Sequence, residues 1–582
     1  MLQRPKMAPK SLLSPSFSIS SFSSFSTLSP QKLSNPNPNF PFKFNRTQIF
    51  CKITDSRNPT QQQQKVGATE QVSVEIDGEG AAAPTRGDLF FSRQKSMADA
   101  AIVLSIEKKL RQKKRREKPK VSAVSIASCY GCGAPLQTSE VDAPGYVELQ
   151  TYELKKRHRQ LKTVLCGRCK LLSHGHMITA VGGNGGYSGG KQFVSAEELR
   201  NKLSHLRYEK ALIVKLVDIV DFNGSFLARI RDLAGANPII LVITKVDLLP
   251  KGTDLNCVGD WVVEATTKKK LNVLSVHMTS SKSLAGVSGV IAQIQAERKG
   301  RDVYILGAAN VGKSAFINAL LKTMSQKDPI AAVARRYKPI QSAVPGTTLG
   351  PIEIDAFIGG GKLFDTPGVH LHHRQAAVVH SVDLPALAPQ SRLRGQSFPV
   401  PSGGITSSKA EEINDLNGFS IFWGGLVRVD VLKVLPSTRL TFYGPKALPI
   451  HMVPTIEADD FYRREIGVLL KPPTGNQITE WEGLQSVRQL QIRFEDPKRP
   501  ACDVAISGLG WIAVEAITNL QEISSSMSSV DNAEELHLAV HVPKPVEIFV
   551  RPPIPVTKAG GEWYEYRELT EMEEEFRPKW YH

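Results

Sequence analysis

At 582 residues, with 41% apolar and 22% charged side chains, the chain exceeds a single core and has material for roughly two to four domains plus connections. The formal net charge of +17 favours an acidic partner such as RNA. A bilayer-spanning helix is excluded, because the best apolar run, 211–217, contains Lys215 and is followed by Asp218.

Residues 1–50 hold six Lys or Arg, no Asp or Glu, and a Ser/Phe run from Ser14 to Ser29, which is organelle-transit composition. Pro5, Pro9 and Pro15 would interrupt an Arg-rich amphipathic helix, so a chloroplast (stromal) peptide is expected, with the mitochondrion as the alternative. Processing near Cys51 would leave a charge of +11, so the basic bias survives it. Residues 51–120 are polar, with a Gln run at 61–64 and a basic stretch from Lys108 to Lys120, and read as a disordered basic segment.

A small module is expected over 121–178. Cys129 and Cys132 form one C-x-x-C pair and Cys166 and Cys169 another, with 33 residues between them. Four thiolates in two knuckles suit tetrahedral Zn2+, held structurally. A redox-active dithiol pair, or reduced thiols without a ligand, is the alternative. His174 and His176 are read as surface residues, and Cys51, Cys257 and Cys502 as ordinary thiols. Lys155, Lys156, Arg157, Arg159 and Lys162 give the module a basic face, either for a nucleic-acid backbone or simply solvated.

A Gly-rich linker is expected over 179–208, followed by an α/β domain over 209–395. Buried strands are expected at 211–217, 239–244, 272–277, 303–306 and 362–364, giving a parallel sheet with helices on both faces. After residue 395, Pro-rich turns and short runs such as 426–431 and 547–550 predict a mixed or β-rich C-terminal domain over 396–582. Arg551 and the turn from Ser507 to Trp511 are read as structural.

Gly307, Ala308, Ala309, Asn310, Val311, Gly312, Lys313 and Ser314 match G-x-x-x-x-G-K-S between a strand and a helix that opens through Ala315. The backbone amides of such a loop wrap phosphates, Lys313 faces the β and γ phosphates, and Ser314 offers a hydroxyl to Mg2+. Upstream, Thr244, Lys245, Val246 and Asp247 resemble N-K-x-D, in which the carboxylate of Asp247 would accept from the two guanine donors while the Lys245 stem covers the ring. Thr244 replaces the asparagine whose amide ties this loop to the phosphate loop, so weaker affinity is expected. Ser280, Ser281 and Lys282 resemble S-A-K, where a backbone amide meets the guanine carbonyl. Pro345, Gly346, Thr347 and Thr348 resemble a first switch, with Thr348 as a magnesium ligand; Asp365, Thr366, Pro367 and Gly368 resemble a second, with Asp365 near magnesium and the Gly368 amide sensing the γ-phosphate. The motifs therefore run base, base, phosphate, switch, switch. That is a GTPase order re-cut between the second switch and the base-specifying strand. Switch two runs through His370–Arg394 straight into the C-terminal part, so γ-phosphate loss is expected to reposition it, with His370, His372 and His373 as hinge residues.

On these motifs, together with CYGCGAPLQT, VDIVDFNGSFLARI and DVAISGLGWI, the chain resembles the YqeH-like family of circularly permuted GTPases from about Cys129 to its C-terminus. The resemblance implies a GTP/GDP-binding ribosome-assembly factor whose partners are rRNA and a ribosomal subunit, the small plastid subunit being expected. Val369 stands where many GTPases carry the glutamine that positions water, so slow intrinsic hydrolysis is expected, accelerated by the ribosome or by K+. Asn310 matches the asparagine that holds K+ in potassium-dependent relatives; its other reading is a loop-stabilising amide. The competing function is a GTP-gated RNA-binding scaffold with negligible turnover. The chain carries no haem or flavin fingerprint, and nitric oxide synthesis is rejected.

Overall fold

A computed structural model describes residues 127–174, 194–227, 229–341, 346–399, 416–434, 438–496, 498–516 and 535–582. The transit, basic and glutamine-rich segments expected over 1–120 lie outside these residues, as do His176, Pro345 and the Gly-rich part of the linker. The end of that linker is ordered: Ala196–Lys202 is a helix with a capping box in which Ser195 accepts from the Glu198 amide and the Glu198 carboxylate reaches back.

Six of the seven strands of the central sheet come before residue 395: β1 Ala211–Asp218, β2 Ile239–Thr244, β3 Ser275–Met278, β4 Asp302–Gly307, β5 Ile352–Ile354 and β6 Leu363–Asp365. β1 and β2 are buried along their whole length, as parallel strands covered on both faces must be. Alternate residues feed different cores. Ile213, Val217, Ile239, Leu241 and Ile243 pack with Val258, Trp261 and Val262 of helix Leu255–Lys268. Leu212, Val214, Leu216, Ile240 and Val242 pack with Val290 and Ile294 of helix Val287–Arg298 and with Phe316, Ile317 and Leu320 of helix Lys313–Met324. Helices thus cover both faces, as expected. The sheet is not wholly parallel: β5 runs antiparallel to β6, because the short 355–362 connection permits only a hairpin. β3 begins at Ser275, three residues later than the apolar pattern suggested.

Beyond residue 395 come β7 Gln396–Phe398, β8 Phe419–Trp423, β9 Val427–Lys433, β10 Thr438–Tyr443, β11 Ile450–Pro454, β12 Ser486–Arg493, β13 Cys502–Ile506, β14 Gly510–Ala516, β15 Glu535–Val542 and β16 Ile548–Arg551. They form two five-stranded antiparallel sheets, β16-β13-β14-β10-β7 and β11-β8-β9-β15-β12. Their inner faces share one core that includes Ile421, Val429, Leu538, Phe442, Val504 and Ile512. The outer face of the first sheet is also committed: Tyr443, Ala505, Trp511 and Ala513 join the core beneath β1 and β2. The last strand, β17 Lys579–Tyr581, pairs in parallel with β3 and completes the order β17-β3-β2-β1-β4-β6-β5. The chain after residue 395 is therefore joined to the α/β part twice, by the pairing of β17 with β3 and by the packing of the first antiparallel sheet on its core. Among the described residues, no helix is long and apolar enough to cross a membrane.

Candidate nucleotide site

The phosphate loop leaves β4 at Gly307 and turns through two left-handed residues, Asn310 (φ 61°) and Gly312 (φ 92°). It enters helix Lys313–Met324, whose N-terminus no side chain caps. Its first-turn amides therefore point at an anion site. Lys313 lies against the loop, its Nζ donating to Ala308 O at 2.8 Å and Gly307 O at 3.2 Å. Burial lowers this amine to about 8, with attraction to Asp365 opposing the shift and Arg374 adding to it.

Ser314 Oγ donates to Asp365 Oδ2 at 3.0 Å, and the buried Thr348 lies close enough for its hydroxyl to lower the same carboxyl. Burial raises Asp365 to about 6 against the pull of Lys313, Ser314 and Thr348. Its Oδ1 is buried with no partner among the described residues. A buried, unsatisfied carboxylate oxygen beside two hydroxyls is a set of hard oxygen donors that fits Mg2+. Gly368 presses on the loop so closely that a Cβ there would stand 2.8 Å from both Ala309 Cα and Lys313 Nζ. Val369 is 2% exposed, and its backbone closes the contact: its N–H donates to Gly307 O at 3.2 Å and its carbonyl accepts from Ala309 N–H at 2.8 Å.

The two loops expected to read the base lie together, Val246 N–H donating to Thr279 O at 3.3 Å. Ser280 is buried and its Oγ accepts from the Ser283 amide, while Lys282 is exposed. A cavity of about 510 Å³ is lined by Lys245, Asn310, Gly312, Lys313, Ser314, Ala315, Thr348 and Gly368, but Asp247, Ser280, Ser281 and Lys282 do not border it. Lys245 Nζ is paired with Asp218 at the end of β1. One expectation is corrected here. Thr244 does not sever its loop from the phosphate loop: its hydroxyl donates to Val311 O at 2.7 Å, replacing the asparagine tie.

Several lining residues escaped the sequence reading. Arg374 is buried; it donates from Nε to Asp221 Oδ2 at 2.8 Å and from NH1 to Ala309 O at 2.5 Å. Burial raises Asp221 against the pull of that guanidinium. Gly508 and Leu509, in the turn read as purely structural, also border the cavity. The only available signals were two aspartates closing an apolar strand and an arginine four residues past a DTPGVH motif followed by histidines. The segment carrying Arg374 is tied down on both sides: Gln375 N–H donates to Ser507 O at 2.9 Å, Glu547 N–H to His373 O at 3.0 Å, and the His373 ring meets Gly224 O at 3.1 Å.

The four cysteines sit apart from this cavity. All are fully buried, their Sγ atoms lie within 4.8 Å of one another, and Cys132 and Cys166 Sγ are 3.9 Å apart. Tetrahedral zinc with bonds of about 2.3 Å places sulfurs about 3.8 Å apart, so the cluster is consistent with zinc. His174 is exposed and outside it.

Comparison with known proteins agrees with this geometry. Residues 302–386 match the model of the "50S ribosome-binding GTPase" family, and residues 437–554 match the "YqeH-like, C-terminal" model. The chain is 64% identical to NO-associated protein 1, chloroplastic/mitochondrial, of Arabidopsis thaliana, over 94% of this chain and 96% of the relative. It is 68% identical, over 87% of this chain and 92% of the relative, to a protein of Oryza sativa subsp. japonica that carries the name of a nitric oxide synthase. It is 30% identical to the uncharacterized protein YqeH of Bacillus subtilis, over 73% of this chain and 98% of that one. With its motifs in re-cut order around one P-loop sheet, the chain belongs to the YqeH-like family of circularly permuted GTPases.

Proposed function

We propose that the chain is a GTP-hydrolysing factor of chloroplast ribosome biogenesis or translation, which grips rRNA or a ribosomal subunit in a nucleotide-dependent way. The observation that carries this reading is the convergence of Lys313, Ser314, Thr348 and Asp365 at one phosphate loop, with the second switch candidate in contact with that loop and the first lining the same cavity. Lys313 and the helix N-terminus would neutralise the β and γ phosphates. Ser314, Thr348 and Asp365 would hold Mg2+, which supplies charge neutralisation at the transferred phosphoryl. Asp247 and the Ser281 amide would select guanine, and Asn310 would support K+ beside the phosphates. Cys129, Cys132, Cys166 and Cys169 would hold structural zinc. The exposed helix Leu149–Arg157, with Lys155, Lys156 and Arg157 in its last turn, offers the module's basic face to an RNA backbone. A stromal location follows from the N-terminal composition and the plant relatives.

Val369 supports a second reading, a GTP-gated scaffold with negligible turnover, because a buried valine locked to the phosphate loop cannot orient water. Nitric oxide synthesis is not proposed, since no haem or flavin fingerprint stands in the chain. The test is GTP turnover by the chain lacking residues 1–50, in potassium and in sodium, with and without small or large plastid subunits, and with Lys313→Ala as the blank. Acceleration by potassium or a subunit that is lost in the variant is the expected result. Nucleotide binding with no turnover above the blank in any condition favours the scaffold.

A further inference from the structure

The cysteine module is fastened to the loop that carries Thr347 and Thr348. The Cys132 carbonyl accepts from the amides of Leu349 at 2.7 Å and Gly350 at 3.2 Å, and the Gly131 carbonyl accepts from Ile340 at 3.3 Å. Ile340 and Leu349 pack against the buried cysteine cluster, and Tyr130 meets Tyr337 edge-on, 5.5 Å between centroids. The approach is backbone to backbone: a Cβ on Gly133 (φ 72°) would lie 2.2 Å from Gly350 O, and one on Gly350 would lie 2.4 Å from Gly133 O. From the second knuckle, Arg168 donates to Gly346 O at 2.9 Å and to Thr347 O at 3.4 Å.

We propose that Arg168 is a positioning residue for the triphosphate state, and that the cysteine module reads that state through the 346–350 loop. The argument rests on the Mg·GTP reading above. A guanidinium on the helix Gly167–Ser173, holding two successive carbonyls, fixes the peptide that carries Thr348 to the cavity beside Lys313 and Ser314. A GTP-bound site uses Thr348, whereas a GDP-bound site does not need it. Loss of the Arg168 grip therefore weakens the triphosphate selectively. By reciprocity, a phosphate-rich strand on the module's basic helix shifts the preference between GTP and GDP by the factor with which nucleotide shifts its own affinity.

The experiment compares equilibrium binding of a fluorescent GDP and a fluorescent non-hydrolysable GTP analogue to the chain lacking residues 1–50 and its variants, with folding checked by circular dichroism. Arg168→Ala is expected to weaken the analogue about five- to tenfold, a typical coupling factor, with GDP changed less than about twofold; Arg168→Lys restores part of the loss. Gly133→Ala, which forces the module off Gly350, reproduces the selective loss. Equal weakening of both nucleotides, or no change in either, in the folded variants overturns the proposal. If the unaltered chain binds neither nucleotide, the GTPase reading itself fails, which is a distinguishable result.

Discussion

The loop around Thr348 and the segment that begins at Asp365 border one cavity, yet the remainder of the chain holds them differently. The first is gripped from outside by the cysteine module, through Arg168 and the Cys132 carbonyl. The second continues as covalent chain into the C-terminal sheets, pinned by Arg374 to Asp221 and Ala309 and by Gln375 to Ser507. As switches, the first would act through a docked surface that can be loosened without cutting the chain, and the second through a buried ion pair whose loss is costly. The re-cut order makes this possible, because only a chain whose second switch comes last can run from it directly into a following domain.

The sharpest way to break the comparison is Arg374→Ala. It leaves Asp221 buried without its cation, and removal of one partner of a buried pair costs about 3–5 kcal/mol. Urea unfolding should register that loss, and nucleotide affinity should fall with it. A variant of unchanged stability would mean the ion pair does not fasten the second switch.

At Asp365, which begins the second switch candidate, pH is the probe. Burial lifts Asp365 from 3.8 to about 6, so the free protein favours the protonated carboxyl. That contribution to stability is present below about 3.8 and lost as pH rises through about 6. Magnesium needs the ionised form, so affinity for Mg·GTP should climb as pH rises through about 6. Lys313 is lowered to about 8, so affinity should fall again above that value as its charge is lost. Titration with fluorescent nucleotide from pH 5 to 9 checks both limbs, and a flat profile contradicts the burial of the pair.

Thr244→Ala touches neither switch and serves as the control. Losing one hydroxyl hydrogen bond to Val311 O costs about 1 kcal/mol, or roughly fivefold in affinity. GTP and GDP should weaken equally in the same binding assay. A selective loss would mean that the base loop is coupled to the second switch candidate, whose continuation it meets where Leu393 N–H donates to Leu248 O at 2.8 Å and Arg392 Nε to Asp247 O at 3.5 Å.

These effects differ in how far the amino-acid order announces them. The strands β1 and β2 were legible because continuous aliphatic runs have few other destinations, and the phosphate loop because its residues act within eight positions of one another. The C-x-x-C pairs were legible for the same reason of short range. Arg374 with Asp221 was not: the partners are 153 positions apart and neither lies in a periodic pattern. The pairing of β17 with β3, and the seating of Gly133 on Gly350, depend on complementary backbones brought together by the whole fold. Thr244 was misjudged because the motif was read by residue type, whereas its task needs only a donor at the right place, which a hydroxyl also supplies.

The most direct test of the account is co-sedimentation of the chain lacking residues 1–50 with purified plastid ribosomal subunits, in a non-hydrolysable GTP analogue, in GDP and without nucleotide, beside Lys313→Ala. Retention on a subunit that changes severalfold between analogue and GDP, and does not change in the variant, is the expected result. Identical retention in every nucleotide state would contradict a nucleotide-gated grip on the ribosome.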